Sequence, residues 1–321
     1  MRNERLTVRM NVGQASHHHK KLRITHYELR IQKRLESERC AMDIELVVKI
    51  GSMALIRRED NDIDYNLFSR LGGELRPGMA LVSSGATEIG RLDYLKRTGR
   101  ELTGDPEANK TDYSAQGQAI LMETYRRFVR PEYSIRQVLV EHNHFNDPQK
   151  RRHLRQLLSH CADQGAIPII NYNDAVSDEE NRKLELLQMQ QAHPEEQVVE
   201  CVDNDETAAV VSELMQVRQM VLLTSADGIY RDPKDPSTLV RDVFAADGEE
   251  LTRMVRELQT HCVGASRAGA NGAGAKLEFA LRSALQGVSV TIANAKKCRL
   301  SDILEGRVPC TRIGIRKPAE G

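Results

Sequence analysis

Leu46-Val47-Val48-Lys49-Ile50-Gly51-Ser52 decides how the rest of the chain is read. A short, apolar, β-branched run that ends in a glycine turn reads as a strand covered on both faces. Runs of the same kind recur over 79–83 (Met-Ala-Leu-Val-Ser), 135–140, 167–171, 220–224 and 288–292. Helical patterns fall between them, over 115–130, 148–164, 205–216, 247–259 and 275–286. This alternation predicts an α/β fold, a mainly parallel sheet sandwiched by helices. Ligands in such sheets gather beyond the carboxyl ends of the strands. Nearly every polar motif in the chain directly follows a predicted strand, so the expected site lies on one rim.

Lys49 closes the first run. A lysine between Val48 and Ile50-Gly51 is poorly explained by packing, which favours a role at a ligand over its alternative, a strand-end lysine facing solvent. Gly51 and Ser52 can offer backbone N–H groups to the same anion. Ser83-Ser84-Gly85-Ala86 follows the second strand and precedes a helix start, where small residues let the backbone approach a carboxylate or phosphate; many strand-to-helix turns look similar. Asn171-Tyr172-Asn173-Asp174 leaves another strand, and Asp203-Asn204-Asp205 opens a helix. Of the two carboxylates Asp203 and Asp205, one is expected to cap the helix and the other to serve the site. Thr224-Ser225-Ala226-Asp227-Gly228-Ile229-Tyr230 is a strand end and turn that can flank a nucleotide base or ribose, although as an isolated string it is only a turn. Gly269-Ala270-Asn271-Gly272-Ala273-Gly274-Ala275-Lys276 has no bulky side chain before its lysine and is read as a loop closing over a ligand. Its spacing is not that of a Walker loop. Two cations, small-residue turns and clustered amides and carboxylates suit a polyphosphate held beside a small polar acceptor, the requirement of phosphoryl transfer.

Bulk properties narrow the classes. The 321 residues carry 46 basic and 46 acidic side chains, so no global field recruits nucleic acid or an acidic membrane, and any phosphate binding is local. With 40% hydrophobic and 29% charged residues the chain reads as a soluble globular protein. No apolar run approaches the ~20 residues of a membrane span, and the N-terminus lacks a secretory pattern. Six cysteines without a CxxC pair suggest reduced thiols and a cytoplasmic location. Residues 1–45 read as a polar arm, partly helical or mobile, whose triplet His17-His18-His19 is better read as solvated than as a metal site. The charged, glutamine-rich segment 177–200 reads as an insertion or flap between two motifs, or as a solvated helix.

Taken in order, these motifs, with Ala115-Gln116-Gly117-Gln118 and Ile167-Pro168-Ile169-Ile170-Asn171, resemble the amino-acid kinase family over roughly residues 46–305. The likeness is greatest to its members that phosphorylate the side-chain carboxylate of L-glutamate. The resemblance implies a three-layer αβα sandwich, a catalytic domain over 46–321, and ATP with Mg²⁺ as the phosphoryl donor. Its implied product is γ-glutamyl phosphate, the first intermediate toward proline. By it, Lys49 and Lys276 stabilise the phosphoryl group in flight, with Asp205 or Asp203 organising them. Ser84, Gly85, Asp174 and Asn204 hold glutamate. Gly51, Ser52, Thr224, Ser225 and the loop Ala270, Asn271, Gly272, Ala273, Gly274 and Ala275 line the ATP site, and no protein residue is assigned to a metal. A homo-oligomer, dimer or tetramer, without nucleic-acid or membrane partners is implied as well.

Four departures from the family pattern stand out. Tyr172 replaces the acid of Asn-Glu-Asn-Asp, Val202 replaces the glycine before Asp-Asn-Asp, Ser225 replaces the aspartate after Thr224, and Ala270 and Asn271 alter the glycine loop. The chain also ends too soon after this region for the C-terminal RNA-binding-like domain many such members carry. Two alternatives stay open: a kinase of another small acceptor, and a nucleotide- or anion-binding regulator that has lost turnover. Asp174 and Asn204 favour an acceptor with an amino group, whereas Ser225 and the altered loop favour the regulator.

Overall fold

The structure is a computed structural model that describes residues 43–177, 179–192, 195, 198–201, 203–262 and 272–316. The expected N-terminal arm up to Met42, and Ala270 and Asn271 of the glycine loop, lie outside the described residues.

The strands are β1 (Leu46–Ile50), β2 (Ile56–Arg57), β3 (Asp62–Ile63), β4 (Met79–Ser83), β5 (Ser134–Val140), β6 (Ala166–Tyr172), β7 (Gln219–Thr224), β8 (Ile229–Tyr230), β9 (Leu239–Val240), β10 (Asp242–Ala245), β11 (Ser289–Asn294) and β12 (Cys310–Ile315). The helices are α1 (Tyr65–Glu74), α2 (Ala86–Thr98), α3 (Pro106–Phe128), α4 (Asn143–Asn146), α5 (Pro148–Asp163), α6 (Glu179–Ala192), α7 (Asn204–Met215), α8 (Gly248–His261), α9 (Ala273–Leu285) and α10 (Leu300–Leu304). Eight strands form one sheet in the order β10-β12-β11-β7-β1-β4-β6-β5. All neighbours are parallel except β11 and β12. The two short hairpins β2-β3 and β8-β9 stand apart from it.

Strand alternation builds the layers. Val47, Val82 and Leu222 face one side, where they pack with Leu154 of α5, Val210 of α7, Val255 of α8 and Leu281 of α9. Leu46, Val48 and Leu81 face the other side and meet Phe68 of α1, Ile89 of α2, Tyr125 of α3 and Ile303 of α10. Helices on both faces of a mainly parallel sheet make the three-layer αβα sandwich. Every residue of β1 is buried, as expected for an interior strand read as apolar throughout.

Glycine sets one packing distance. A Cβ at Gly90 would stand 1.9 Å from the Tyr113 carbonyl oxygen, and one at Gly117 would stand 1.8 Å from that of Ala86. The two glycines therefore bring α2 and α3 together backbone to backbone, which accounts for Gly117 within Ala115-Gln116-Gly117-Gln118.

The structure also departs from the expected elements. α3 begins well before 115, where Asp105 accepts the Ala108 N–H at 2.7 Å and Pro106 occupies the first turn. β10 and β12 were not expected. β12 pairs antiparallel with β11 and leaves Arg312 exposed, so it lacks the continuous apolar signature of the central strands. The segment expected as a flap or solvated helix contains α6, which buries none of its residues. Among the described residues no helix is long and apolar enough to cross a membrane.

Candidate active site

β7, β1, β4 and β6 lie side by side and end on the same edge, so the turns after them converge. Main-chain bonds join these ends: the Ser84 N–H donates to the Ile50 carbonyl (3.1 Å) and the Gly51 N–H to that of Leu223 (3.4 Å). The Gly51 donor expected for a ligand oxygen is thus committed to the neighbouring strand.

Lys49 shares the parity of Val47, so its side chain leaves β1 toward the face covered by α7. There its Nζ lies 2.6 Å from Asp205 Oδ1, with the lysine 6% and the aspartate 1% exposed. Lys276, in the first turn of α9, reaches the other oxygen of the same carboxylate at 2.5 Å. Asp205 sits in the first turn of α7, where the positive end of the helix dipole favours an anion. Burial opposes ionisation of the Asp205 carboxyl, but the ammonium groups of Lys49 and Lys276 outweigh it and hold the group below its usual range. The trio retains one positive charge in excess in a largely desolvated place, which suits an incoming anion. Asp203 takes the other task expected of the pair: its Oδ1 accepts the Asp205 and Glu206 N–H groups at 2.7 and 3.0 Å and caps α7.

Beside this clamp runs a chain of amides. Asn204 donates to the Ser84 hydroxyl at 2.8 Å and to Asn171 Oδ1 at 3.0 Å. Asn171 in turn donates to Gln118 Oε1 at 2.9 Å. The Asn204 carbonyl oxygen is buried without a hydrogen-bond partner, an acceptor available to a donor such as an ammonium group. Gly85 turns the chain from β4 into α2 at φ 107°, and a Cβ there would stand 2.8 Å from the Leu55 side chain. Asp174, after β6, lies 3.8 Å from Lys110 of α3; burial pushes its carboxyl above the ordinary value, with Lys110 pulling the other way.

At the far end of β7 the expected Thr224 and Ser225 meet β11 through their carbonyls, which accept the Ala295 N–H (2.8 Å) and the Asn294 side-chain amide (3.0 Å). Ser225 supplies no carboxylate, but Asp227 does. It accepts from Asn294 at 2.9 Å and pairs with Lys297 at 3.0 Å. Gly272 is the N-cap of α9 and makes no side-chain cap, while Ala273, Gly274 and Ala275 form the first turn ahead of Lys276, so small residues surround an uncapped helix N-terminus. Ser52 opens a short 3₁₀ turn, Ser52–Ala54, beside Gly51.

A profile of the amino acid kinase family matches residues 45–294, most of the chain. The chain belongs to the amino acid kinase family. Among curated relatives it is 29% identical over 278 residues to a glutamate 5-kinase of Alkaliphilus metalliredigens, covering 83% of this chain and 94% of the relative. It is 30% identical over 285 residues to a glutamate 5-kinase of Gloeobacter violaceus, covering 86% and 69% respectively. Among solved structures, carbamate kinase from Giardia lamblia bound to AMP-PNP superposes with a TM-score of 0.54 at 12% identity, covering 84% of this chain and 98% of that one, a likeness of fold.

Membership in the amino acid kinase family supports ATP-dependent phosphotransfer, and the rim described above is where an α/β sheet of this family would carry it out. Sequence reasoning passed over several residues there. Gln118 and Asn171 stood in quoted motifs without an assigned role, and Asn294 and Lys297 carried no local signal. Arg182, on α6, was hidden in a segment read only for its composition.

Proposed function

We propose that the protein transfers the γ-phosphoryl group of ATP to the side-chain carboxylate of L-glutamate, giving γ-glutamyl phosphate and ADP. The observation that carries this reading is the shared clamp Lys49–Asp205–Lys276, with its excess positive charge, standing next to the Asn204–Ser84 amide–hydroxyl pair. The similarity to curated glutamate 5-kinases supports the acceptor.

In this mechanism a glutamate carboxylate oxygen forms the new bond to phosphorus while the bond to the ADP oxygen breaks, and ADP leaves with that electron pair. The nucleophile is ionised at neutral pH, since a free carboxyl of this type titrates near ~4.3, so no strong general base is required. Each lysine has three donors and uses one on Asp205, which leaves N–H groups for the transferring phosphoryl oxygens. Asp205 fixes two like charges close together that would otherwise repel. Asn204, Ser84 and Asp174 would position the amino acid, the carboxylate and the amide oxygen facing its ammonium group.

Among the described residues no group of three or more His, Cys, Asp or Glu side chains is placed to hold a metal. Mg²⁺ bound chiefly by phosphate oxygens and water needs few protein ligands, and it would neutralise phosphate charge on entering with the nucleotide. Both Asp205 oxygens face lysines, so the protein's own part is the pair of ammonium groups.

The test is glutamate-dependent ADP release in the presence of Mg²⁺, with the acyl phosphate trapped by hydroxylamine as a hydroxamate. Absence of turnover with glutamate at saturating ATP, with turnover of another acceptor in a panel, would replace the substrate. ATP binding with no transfer to any acceptor, unaffected by Lys49→Ala, would point to the regulator.

A further inference from the structure

α6 follows Asp174 and Ser177 along the chain and precedes the Asp203–Asp205 turn, so it lies in sequence between two parts of the candidate site. It buries no residue, yet Glu179, Arg182, Leu186 and Met189 are half-buried while the residues around them are exposed. Their spacing is that of one helical face, which therefore points inward. Glu185, one turn from Arg182, fixes the helix: its Oε2 lies 2.9 Å from Nε2 of the buried His142, at the end of the turn after β5.

Arg182 leaves α6 on this face, and its charge is felt at Asp174 of the candidate site. Its guanidinium stands 5.8 Å from the centre of the Tyr172 ring, within cation–π range. Tyr172 is in turn held by a 2.9 Å bond between its hydroxyl and that of Ser177. Arg182 Nε is buried and has no hydrogen-bond partner among the described residues. A desolvated guanidinium nitrogen without an acceptor is costly unless a ligand supplies one. The neighbouring Asp174 feels the positive charge of Lys110 and, more weakly, of Arg182, and both pull its carboxyl down against burial. Asp174 therefore faces two cations, lying 3.8 Å from Lys110 without forming an ion pair with Arg182.

We infer that Arg182, delivered by α6, is a specificity-determining residue that receives the acceptor's second carboxylate, the one not phosphorylated. The assignment rests on the glutamate reading above. A guanidinium matches a carboxylate with two parallel N–H···O bonds, and its contact with the Tyr172 hydroxyl engages only part of its five donors, with Nε left unpaired. The required acceptor is then an amino acid with two carboxylates: one for the lysines and phosphoryl group, one for Arg182, and an ammonium group toward Asn204 and Asp174. An acceptor with a single anionic group leaves Arg182 unpaired, which is how such a site rejects it.

The experiment compares L-glutamate with 4-aminobutyrate, which keeps the amine and the reacting carboxylate but lacks the second one. In the full chain, kcat/KM is measured for both in the wild type, R182M, R182Q and R182K. R182M and R182Q are expected to reduce the glutamate-to-4-aminobutyrate ratio about tenfold or more, mainly through the glutamate KM, with R182K restoring part of it. Where 4-aminobutyrate turns over too slowly to time, its inhibition constant against glutamate takes its place in the ratio. An unchanged ratio, with both acceptors weakened alike, makes Arg182 a support of α6 and overturns the inference while leaving the glutamate reading intact. Wild-type protein that phosphorylates no glutamate overturns the reading itself, and this assignment with it, before any variant is made.

Discussion

α7 and α6 are near neighbours in sequence and opposites in construction. α7 has 12 residues, 10 of them buried, and its first turn carries the carboxylate that joins two lysines. α6 has 14 residues and buries none; a polar contact between Glu185 and His142 and a cation–π contact link it to the body of the domain. The groups proposed to meet developing charge are set into the core, where their positions are over-determined. The group proposed to read the acceptor rides on a helix whose local opening costs little. A rigid transfer centre and a loosely attached reader is a division that mutation can test from either end.

The largest effect is expected at the rigid end. Asp205→Asn removes the one negative charge between two buried or half-buried ammonium groups. Breaking a buried ion pair from one side costs ~3–5 kcal/mol, which for a chain of this size lowers Tm on the order of 10 °C. Turnover should fall about a thousandfold or more, since both lysines lose their alignment. A variant with near wild-type Tm and rate would show that the clamp does not organise the site.

Lys276→Met and Lys49→Met come next. Each removes a donor proposed to meet the transferring group, with an expected loss of about 10²–10³ in kcat and a much smaller change in ATP affinity. Lys276 retains 21% side-chain exposure and Lys49 8%, so the Lys49 variant should also lose more stability. Equal losses of kcat and ATP affinity would move the lysines from transfer to ground-state binding.

Acid titration isolates the carboxylate. Lys49 and Lys276 overcome burial and depress the folded-state pKa of Asp205. A depressed carboxyl contributes stability that is complete above its unfolded value, near ~3.9, and disappears as pH falls through the lower folded value. The stability difference between wild type and Asp205→Asn, from urea midpoints, should therefore hold constant between pH 7 and 5 and shrink only below about pH 4. Shrinkage between pH 7 and 5 would assign it to another group.

The same contrast explains what could be read from the sequence. β1, β4 and β7 are legible because a strand covered on both faces must be apolar along its length, and the turns after them follow from the topology of parallel sheets. β12 escaped because an antiparallel strand with an exposed Arg312 has no such run. Lys49 was legible as an unexplained cation, while the side it faces, that of Val47, follows from alternation along the observed β1. That Asp205 rather than Asp203 meets it depends on where α7 begins, a cap geometry that two nearby aspartates leave ambiguous. The chain Gln118–Asn171–Asn204–Ser84 joins α3, β6, α7 and the end of β4, so only the folded molecule reveals it. Arg182 was least visible, because the inward face of α6 includes Glu179 and Arg182 and therefore lacks an apolar stripe.

The smallest expected effect lies at the reader's attachment. Glu185 is 53% exposed, so its contact with His142 is screened and contributes little to global stability. Burial holds the His142 imidazole below its ordinary pKa, with Glu185 pulling it back up. Glu185→Gln removes the carboxylate charge but keeps the side-chain length, so Tm should move by no more than about 1–2 °C. Hydrogen exchange should nonetheless separate the two helices: α6 amides exchange faster in the variant while α7 amides do not change, since α6 opens locally and α7 only with the core. If Arg182 reads the acceptor through this helix, the glutamate KM should rise about two- to threefold with kcat nearly constant, because a carrier that opens more often presents its guanidinium a smaller fraction of the time. Faster α6 exchange with an unchanged KM would detach the helix from acceptor recognition, and unchanged exchange would show that contacts other than His142 hold it in place.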